Sequence, residues 1–160
     1  MLAMFAQLAR YNRWANARLY GAALALDEEA YRRDRGAFVR GMNGTLNHLL
    51  VTDRIWPKRL SAQGKHPNRL DASLHEDRRA LCLARADEDD RIVRVIDGFD
   101  DAALDGCLSM RRPRASISSS GVVRFWRIYS TTQTHHRGQA HMILSSGDSG
   151  STEKQPPVRA

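Results

Sequence analysis

Apolar residues recur at helical spacing in four stretches of this chain, and nowhere do they alternate long enough to make a convincing strand. The first stretch runs from about Leu2 to Leu26. Phe5, Leu8, Ala15, Leu19 and Ala22 fall three, four or seven residues apart, and Arg10, Arg13 and Arg18 lie off that stripe. The polar connector LDEEAYRRDRGAF follows. A second helix is expected from about Thr45 to Leu60, with Leu46, Leu49, Leu50, Trp56 and Leu60 as its apolar set. Asn43-Gly44 before it is a turn signal. Pro57 should kink or end it, because proline lacks a donor and clashes with the preceding turn.

The third helix is expected to begin at Ser73, where Ser73 and Glu76 have the S-x-x-E spacing of a capping box. Gly98 would close it as a C′ glycine. Its surface is heavily charged and its apolar stripe (Leu74, Leu81, Ile92, Val95, Ile96) is thin, which predicts an outer helix of a bundle. Residues 107 to 121 follow neither period and read as loop or a short irregular strand pair. The fourth helix is predicted from Val122 to Leu144, with Val122, Phe125, Trp126, Tyr129, Thr132, His136, Ala140 and Ile143 on one face. From Ser145 onward the composition is that of a disordered tail. These elements predict an all-α chain, a helical bundle in which helices 2 and 4 can face one another. It forms one domain over residues 1–146, with a disordered tail over 147–160.

Composition changes this picture little. A chain of 160 residues with 42% hydrophobic content can bury one sizeable core. No apolar run approaches the roughly 18 residues that span a bilayer, and the start has no basic n-region of a signal peptide. Cys82 and Cys107 stand far apart in no CxxC pattern, so both are expected to be structural or incidental, in a reducing, cytoplasmic setting. The net charge of +7 is more informative, because it is local. No acidic residue lies between Asp105 and Asp148, where Arg111, Arg112, Arg114, Arg124, Arg127 and Arg137 fall. Arginines interleaved with Phe125, Trp126 and Tyr129 suit a nucleic-acid face. The aromatics are at helical spacing, however, so core packing is their default role and nucleic acid is not the expected partner.

The chemistry concentrates in TTQTHHRGQAH, residues 131 to 141. His136 lies on the apolar stripe of the fourth helix, and His48 lies beside that of the second. A histidine from each of two facing helices is how bundles build metal sites. Imidazole suits zinc, nickel, copper and iron alike. A catalytic site needs about three protein ligands and an open position; two can be named here and the third cannot. The alternative is plain: an inward histidine is commonly just a satisfied core group, and neighbours such as His135 and His136 point about 100° apart. Asp53, five residues past His48, is either a carboxylate that orients a ligating imidazole or a surface partner of Arg54 or Arg13. Tyr11 and Trp14 either line a pocket or pack at the bundle end, with packing the default, and Asn12 and Arg13 are candidates to pair with the connector acids.

Three blocks, YNRWANARLY at 11–20, GTLNHLLVTDRIW at 44–56 and THHRGQAH at 134–141, resemble the signature blocks of the DinB family. The resemblance covers roughly residues 1–106 and 133–144. It implies an up-down-down-up four-helix bundle, often a homodimer, holding a divalent metal such as zinc or nickel by a histidine triad. Relatives include thiol-dependent S-transferases and metal-dependent hydrolases, which implies a small-molecule or thiol substrate. His48 matches the ligand from the second helix, and His136 matches the second member of an HxxxH pair on the last helix. The first member falls at Thr132, and threonine is a poor ligand for these metals. The family pattern reads something like LAHIFNHQTHHRGQ, against FWRIYSTTQTHHRGQ here, and a reading-frame slip would relate the two. Residues of about 107–132 are therefore expected to be translated out of the ancestral frame, which also accounts for the acid-free, arginine-rich stretch. The expectation is a DinB-like protein with an impaired triad: a weakened metal-dependent transferase or hydrolase, or a bundle without activity. No Ser-His-Asp order or phosphate-cradling glycine loop suggests other chemistry, and no catalytic residue is assigned.

Overall fold

The computed structural model describes residues 2–36, 39–61, 69–99 and 120–147, with the side chains of 56–61, 120–128 and 147 outside that description. Five helices lie among the described residues: α1 (Leu2–Leu24), α2 (Glu28–Arg32), α3 (Met42–Ser61), α4 (Arg78–Asp97) and α5 (Ser120–Gly147). No strand does, so the chain is all-α there. The segment 107–119, Cys107, the arginines at 111, 112 and 114, and residues 148–160 of the expected tail lie outside the described residues. So do the side chains of Trp56, Leu60, Val122, Arg124, Phe125, Trp126 and Arg127.

Each helix forms close to where the apolar period puts it, but the ends depart for local reasons. The connector after α1 folds into α2, because Asp27 accepts from the Ala30 amide at 2.7 Å and Tyr31 is buried. Asn43-Gly44 is the first turn of α3 rather than a turn before it. Gly44 is required there, since a Cβ would run into the Val39 carbonyl oxygen. Pro57 does not end α3, which continues to Ser61. The Ser73–Glu76 capping box does not form either. Ser73 Oγ donates to Glu76 Oε1 at 2.6 Å, and the helix starts later, with Asp77 accepting from the Ala80 amide at 2.7 Å. Gly98 does cap α4, though in right-handed geometry, with its amide donating to the Arg94 carbonyl and the Phe99 amide to the Ile96 carbonyl.

The helices α1 and α3 each pack against both α4 and α5, and α2 packs on α3. Two apolar clusters result. One joins Leu19, Tyr20 and Ala23 to Leu46, Leu49, Leu50, Leu81, Ala140 and Ile143, and the other joins Phe5 and Ala9 to Ile92, Ile96 and Tyr129. Fully burying side chains such as Leu49 and Leu50 stabilises by about 1.5–3 kcal/mol each. Between these clusters runs a polar layer. On α1 it is Asn12 and Asn16, on α3 Thr52 and Asp53, on α4 Arg85, Glu88 and Asp89, and on α5 Gln133, all buried.

This layer corrects two expectations. The buried face of α1 is Phe5, Ala9, Asn12, Asn16, Leu19, Tyr20 and Ala23, so Ala22 points outward and two asparagines point in. α4 is not an outer helix with a thin stripe: Leu81, Arg85, Glu88, Asp89, Ile92 and Ile96 make a continuous buried face, part of it charged.

Candidate metal centre and the buried polar layer

His48 and His136 meet. Their Nε2 atoms are 3.1 Å apart and their rings cross edge to face at a centroid separation of 4.4 Å. The middle of α3 supplies one imidazole and α5 the other. The other nitrogen of each ring is occupied. His48 Nδ1 lies 2.6 Å from the Leu70 carbonyl oxygen, and a carbonyl can only accept, so Nδ1 carries the hydrogen. His136 Nδ1 lies 2.8 Å from Gln139 Oε1 and donates likewise. With Nδ1 donating on both rings, the two Nε2 atoms face each other across 3.1 Å. Burial holds His136 below the usual imidazole range, His48 and His135 add to this, and only the Gln139 hydrogen bond opposes it. A neutral imidazole is the form that binds metal.

The donor set fits a cation in part. Two nitrogens held about 2.0–2.1 Å from one zinc lie roughly 3–3.4 Å apart, and 3.1 Å falls in that range. Acceptors behind ligating imidazoles are the usual second layer of a metal site. No third donor of the expected kind accompanies them: among the described residues no group of three or more His, Cys, Asp or Glu side chains converges. Thr132 stands one turn before His136 on the same helix, half-buried. His135 is exposed, with its ring centroid 5.1 Å from that of His136.

Asp53 belongs neither behind these ligands nor on the surface. It is fully buried, with Oδ2 2.7 Å from Arg85 Nη1 and 3.1 Å from the Tyr129 hydroxyl, which donates to it. Gln133 Nε2 donates to its other oxygen. Arg85 also faces Asp89 through Nη2 at 3.0 Å and donates from Nε at 3.1 Å. Asn16 Nδ2 donates to Asp89 at 3.0 Å, Asn12 Nδ2 donates to the Tyr129 hydroxyl at 3.2 Å, and Arg137 donates to Asn12 Oδ1. The two Nη contacts are ion pairs in distance but not aligned hydrogen bonds, and Asn16 Oδ1 and Gln133 Oε1 find no hydrogen-bond partner among the described residues. Two carboxylates thus share one guanidinium out of water. Burial pushes Asp53 up to about 7 against the pull of Arg85, and Asp89 and Glu88 add to the rise. Burial raises Asp89 too. Burial opposes the charge of Arg85, but Asp53 and Asp89 outweigh it and keep the guanidinium protonated.

Other candidates fall elsewhere. Arg13 pairs with Asp90 of α4 at 3.1 Å, not with Asp53 or the connector acids. Tyr11 and Trp14 are 51% and 57% exposed, so neither is buried in the core; their rings lie 5.8 Å apart, with Arg137 over Tyr11 and Arg18 over Trp14. Cys82 is half-buried and its thiol is raised by burial and by Asp77, which makes it a poor nucleophile. The apolar pattern missed Arg85, Asp89 and Gln133. The signal was present, since positions 81, 85, 88, 89, 92 and 96 keep the three-and-four spacing of one helix face.

A sequence model of the DinB family matches residues 1–148. The chain belongs to the DinB family. No curated protein and no solved structure matches it. In this DinB protein two imidazoles of the candidate triad come together, and the position of the third holds threonine.

Proposed function

We propose that this DinB protein binds a divalent metal, zinc or nickel, through His48 and His136, and that it does so in an up-down-down-up four-helix bundle. One observation carries the metal reading. Two Nε2 atoms 3.1 Å apart, with an acceptor at each Nδ1, are placed as two nitrogen ligands of one cation would be. Support for the bundle comes from the order of cross-helix partners. Along α1, Arg10, Arg13 and Asn16 meet Asp97, Asp90 and Asp89, so the two helices run oppositely. Along α3, His48 and Asp53 meet His136 and Tyr129, again oppositely. Phe5 and Ala9 cluster with Tyr129, while Leu19 and Ala23 cluster with Ala140 and Ile143, so α1 and α5 run together.

The metal would supply Lewis acidity, polarising a substrate or activating a bound thiol or water. The chain's own part is to present two imidazoles from rigid helices, with the Leu70 carbonyl and Gln139 Oε1 accepting from their Nδ1 atoms. A small-molecule or thiol substrate, a transferase or hydrolase reaction, a homodimer and a cytoplasmic setting belong to the same proposal. They rest on family membership and on the sparse cysteines. A second reading, a DinB bundle that has kept its fold and lost its activity, is favoured by Thr132, because two protein ligands hold a metal less tightly than three.

Titration calorimetry with zinc and nickel on the chelator-free protein tests this. His48→Ala and His136→Ala should each abolish binding, and Thr132→His should tighten it at least about tenfold, the scale on which changes around a site shift metal affinity. Binding that survives both alanine variants would remove the proposal.

A further inference from the structure

We propose that Asn47 is a positioning residue for His48: it clamps the segment between α3 and α4 so that the Leu70 carbonyl fixes the imidazole's tautomer. This inference rests on the proposed metal site for its consequence, but not for its geometry. Asn47 is 1% exposed and next to His48 on α3, so its side chain leaves the helix about 100° around from the ring. Its Oδ1 accepts from the backbone amides of Leu74 at 2.8 Å and His75 at 3.0 Å. Its Nδ2 donates to the His75 carbonyl at 3.0 Å and to the Asn43 carbonyl at 3.0 Å. One side chain thus binds the strap at three backbone atoms and ties it back to α3.

The described part of the strap runs from residue 69 to Asp77, where α4 is capped. At its far end Glu76 adds a second tie, taking Arg32 Nη1 at 3.1 Å and Ser73 Oγ at 2.6 Å. At its near end Leu70, whose side chain is exposed, contributes its carbonyl oxygen to His48 Nδ1 at 2.6 Å. A backbone carbonyl in an irregular segment holds its place only if the segment is fixed. Among the described residues Asn47 holds the strap backbone to α3 at three atoms, and Asn43 Nδ2 adds a longer contact to Glu76 Oε2 at 3.5 Å. An imidazole without that acceptor can turn or exchange its proton to Nε2, which takes away the lone pair that faces His136. An acceptor behind a ligand acts on metal affinity in this way.

The test is the tautomer of His48 in metal-free protein, read by long-range proton–nitrogen spectra, beside zinc affinity by calorimetry. Wild type should show His48 protonated on Nδ1 alone. Asn47→Ala should give a mixture of tautomers and a loss of zinc affinity of about tenfold or more. Asn47→Asp keeps the acceptor for the two amides and should keep the wild-type tautomer. A role in stability alone would lower the melting point without moving the tautomer of the folded protein. If Asn47→Ala does not fold, Asn47→Ser, too short to span both amides, carries the same readouts. A folded variant lacking the clamp but retaining the wild-type tautomer would overturn the proposal. Zinc binding that survives His48→Ala would end the metal reading and leave the tautomer result to decide this one.

Discussion

Asp53, Arg85 and Asp89 set the largest energies at the scale of single residues. Arg85 is 1% exposed and answers two buried carboxylates. Removing one partner of a buried ion pair costs about 3–5 kcal/mol, because the charge left behind has neither water nor counterion. Against a total stability of about 5–15 kcal/mol, Arg85→Ala should leave the protein barely folded at neutral pH, which urea denaturation would measure. The same trio gives a pH dependence of definite sign. Asp53 and Asp89 are raised in the folded chain, so the folded state keeps protons that the unfolded chain has released. Their contribution is complete below about pH 4, the ordinary carboxylate range, and is lost as pH rises through about 7, where Asp53 ionises. Unfolding free energy should therefore decline over that window, and Asp53→Asn should flatten the decline. An unchanged slope in the variant would mean that Asp53 titrates normally.

At the scale of elements, the start of α4 shows how a contact overrides a local motif. Ser73 and Glu76 have the spacing of a cap, but a helix beginning there needs the amides of the residues that follow, and Asn47 has taken those of Leu74 and His75. The chain stays irregular until Asp77 caps it. Asp77→Ala should cost about 1 kcal/mol, while Ser73→Ala, which removes only an exposed contact to Glu76, should cost clearly less. Thermal unfolding of the two variants compares them, and equal losses would place the cap at Ser73 after all. The four long helices were legible because their apolar residues repeat over fifteen or more positions. The short helix α2 was not, because five polar-rich residues carry no period and its one buried anchor, Tyr31, looks like any other tyrosine.

At the scale of the molecule, a bound cation should stabilise the whole fold. A ligand at 100 times its dissociation constant adds about 2.7 kcal/mol to the folded state. Zinc or nickel should thus raise the melting temperature of wild type and leave that of the His48→Ala, His136→Ala double variant unmoved. Melting scans with and without metal would show this, and an equal rise in both proteins would place the metal elsewhere. The arginine-rich segment also belongs to this scale. Tyr129, within it, is 4% exposed and is held by Asn12 and by Asp53, so this residue is integrated into the core whatever the origin of the segment. Reading the coding DNA in all frames should reveal a histidine codon at position 132 in another frame; its absence would remove the frame-slip account.

Periodicity and the three signature blocks determined that this chain is helical, where its long helices lie, and that His48 and His136 are the residues to compare. All three follow from local order, which a linear string carries. That the two imidazoles meet through Nε2, with Leu70 and Gln139 behind them, is a matter of cross-helix register and of a strap from a distant part of the chain. That Arg85 and Asp89 face inward was decided likewise. A charged side chain on an apolar stripe reads as surface until another helix supplies its partner, and Asp53, thirty-two positions away in sequence, becomes that partner only when α3 and α4 pack.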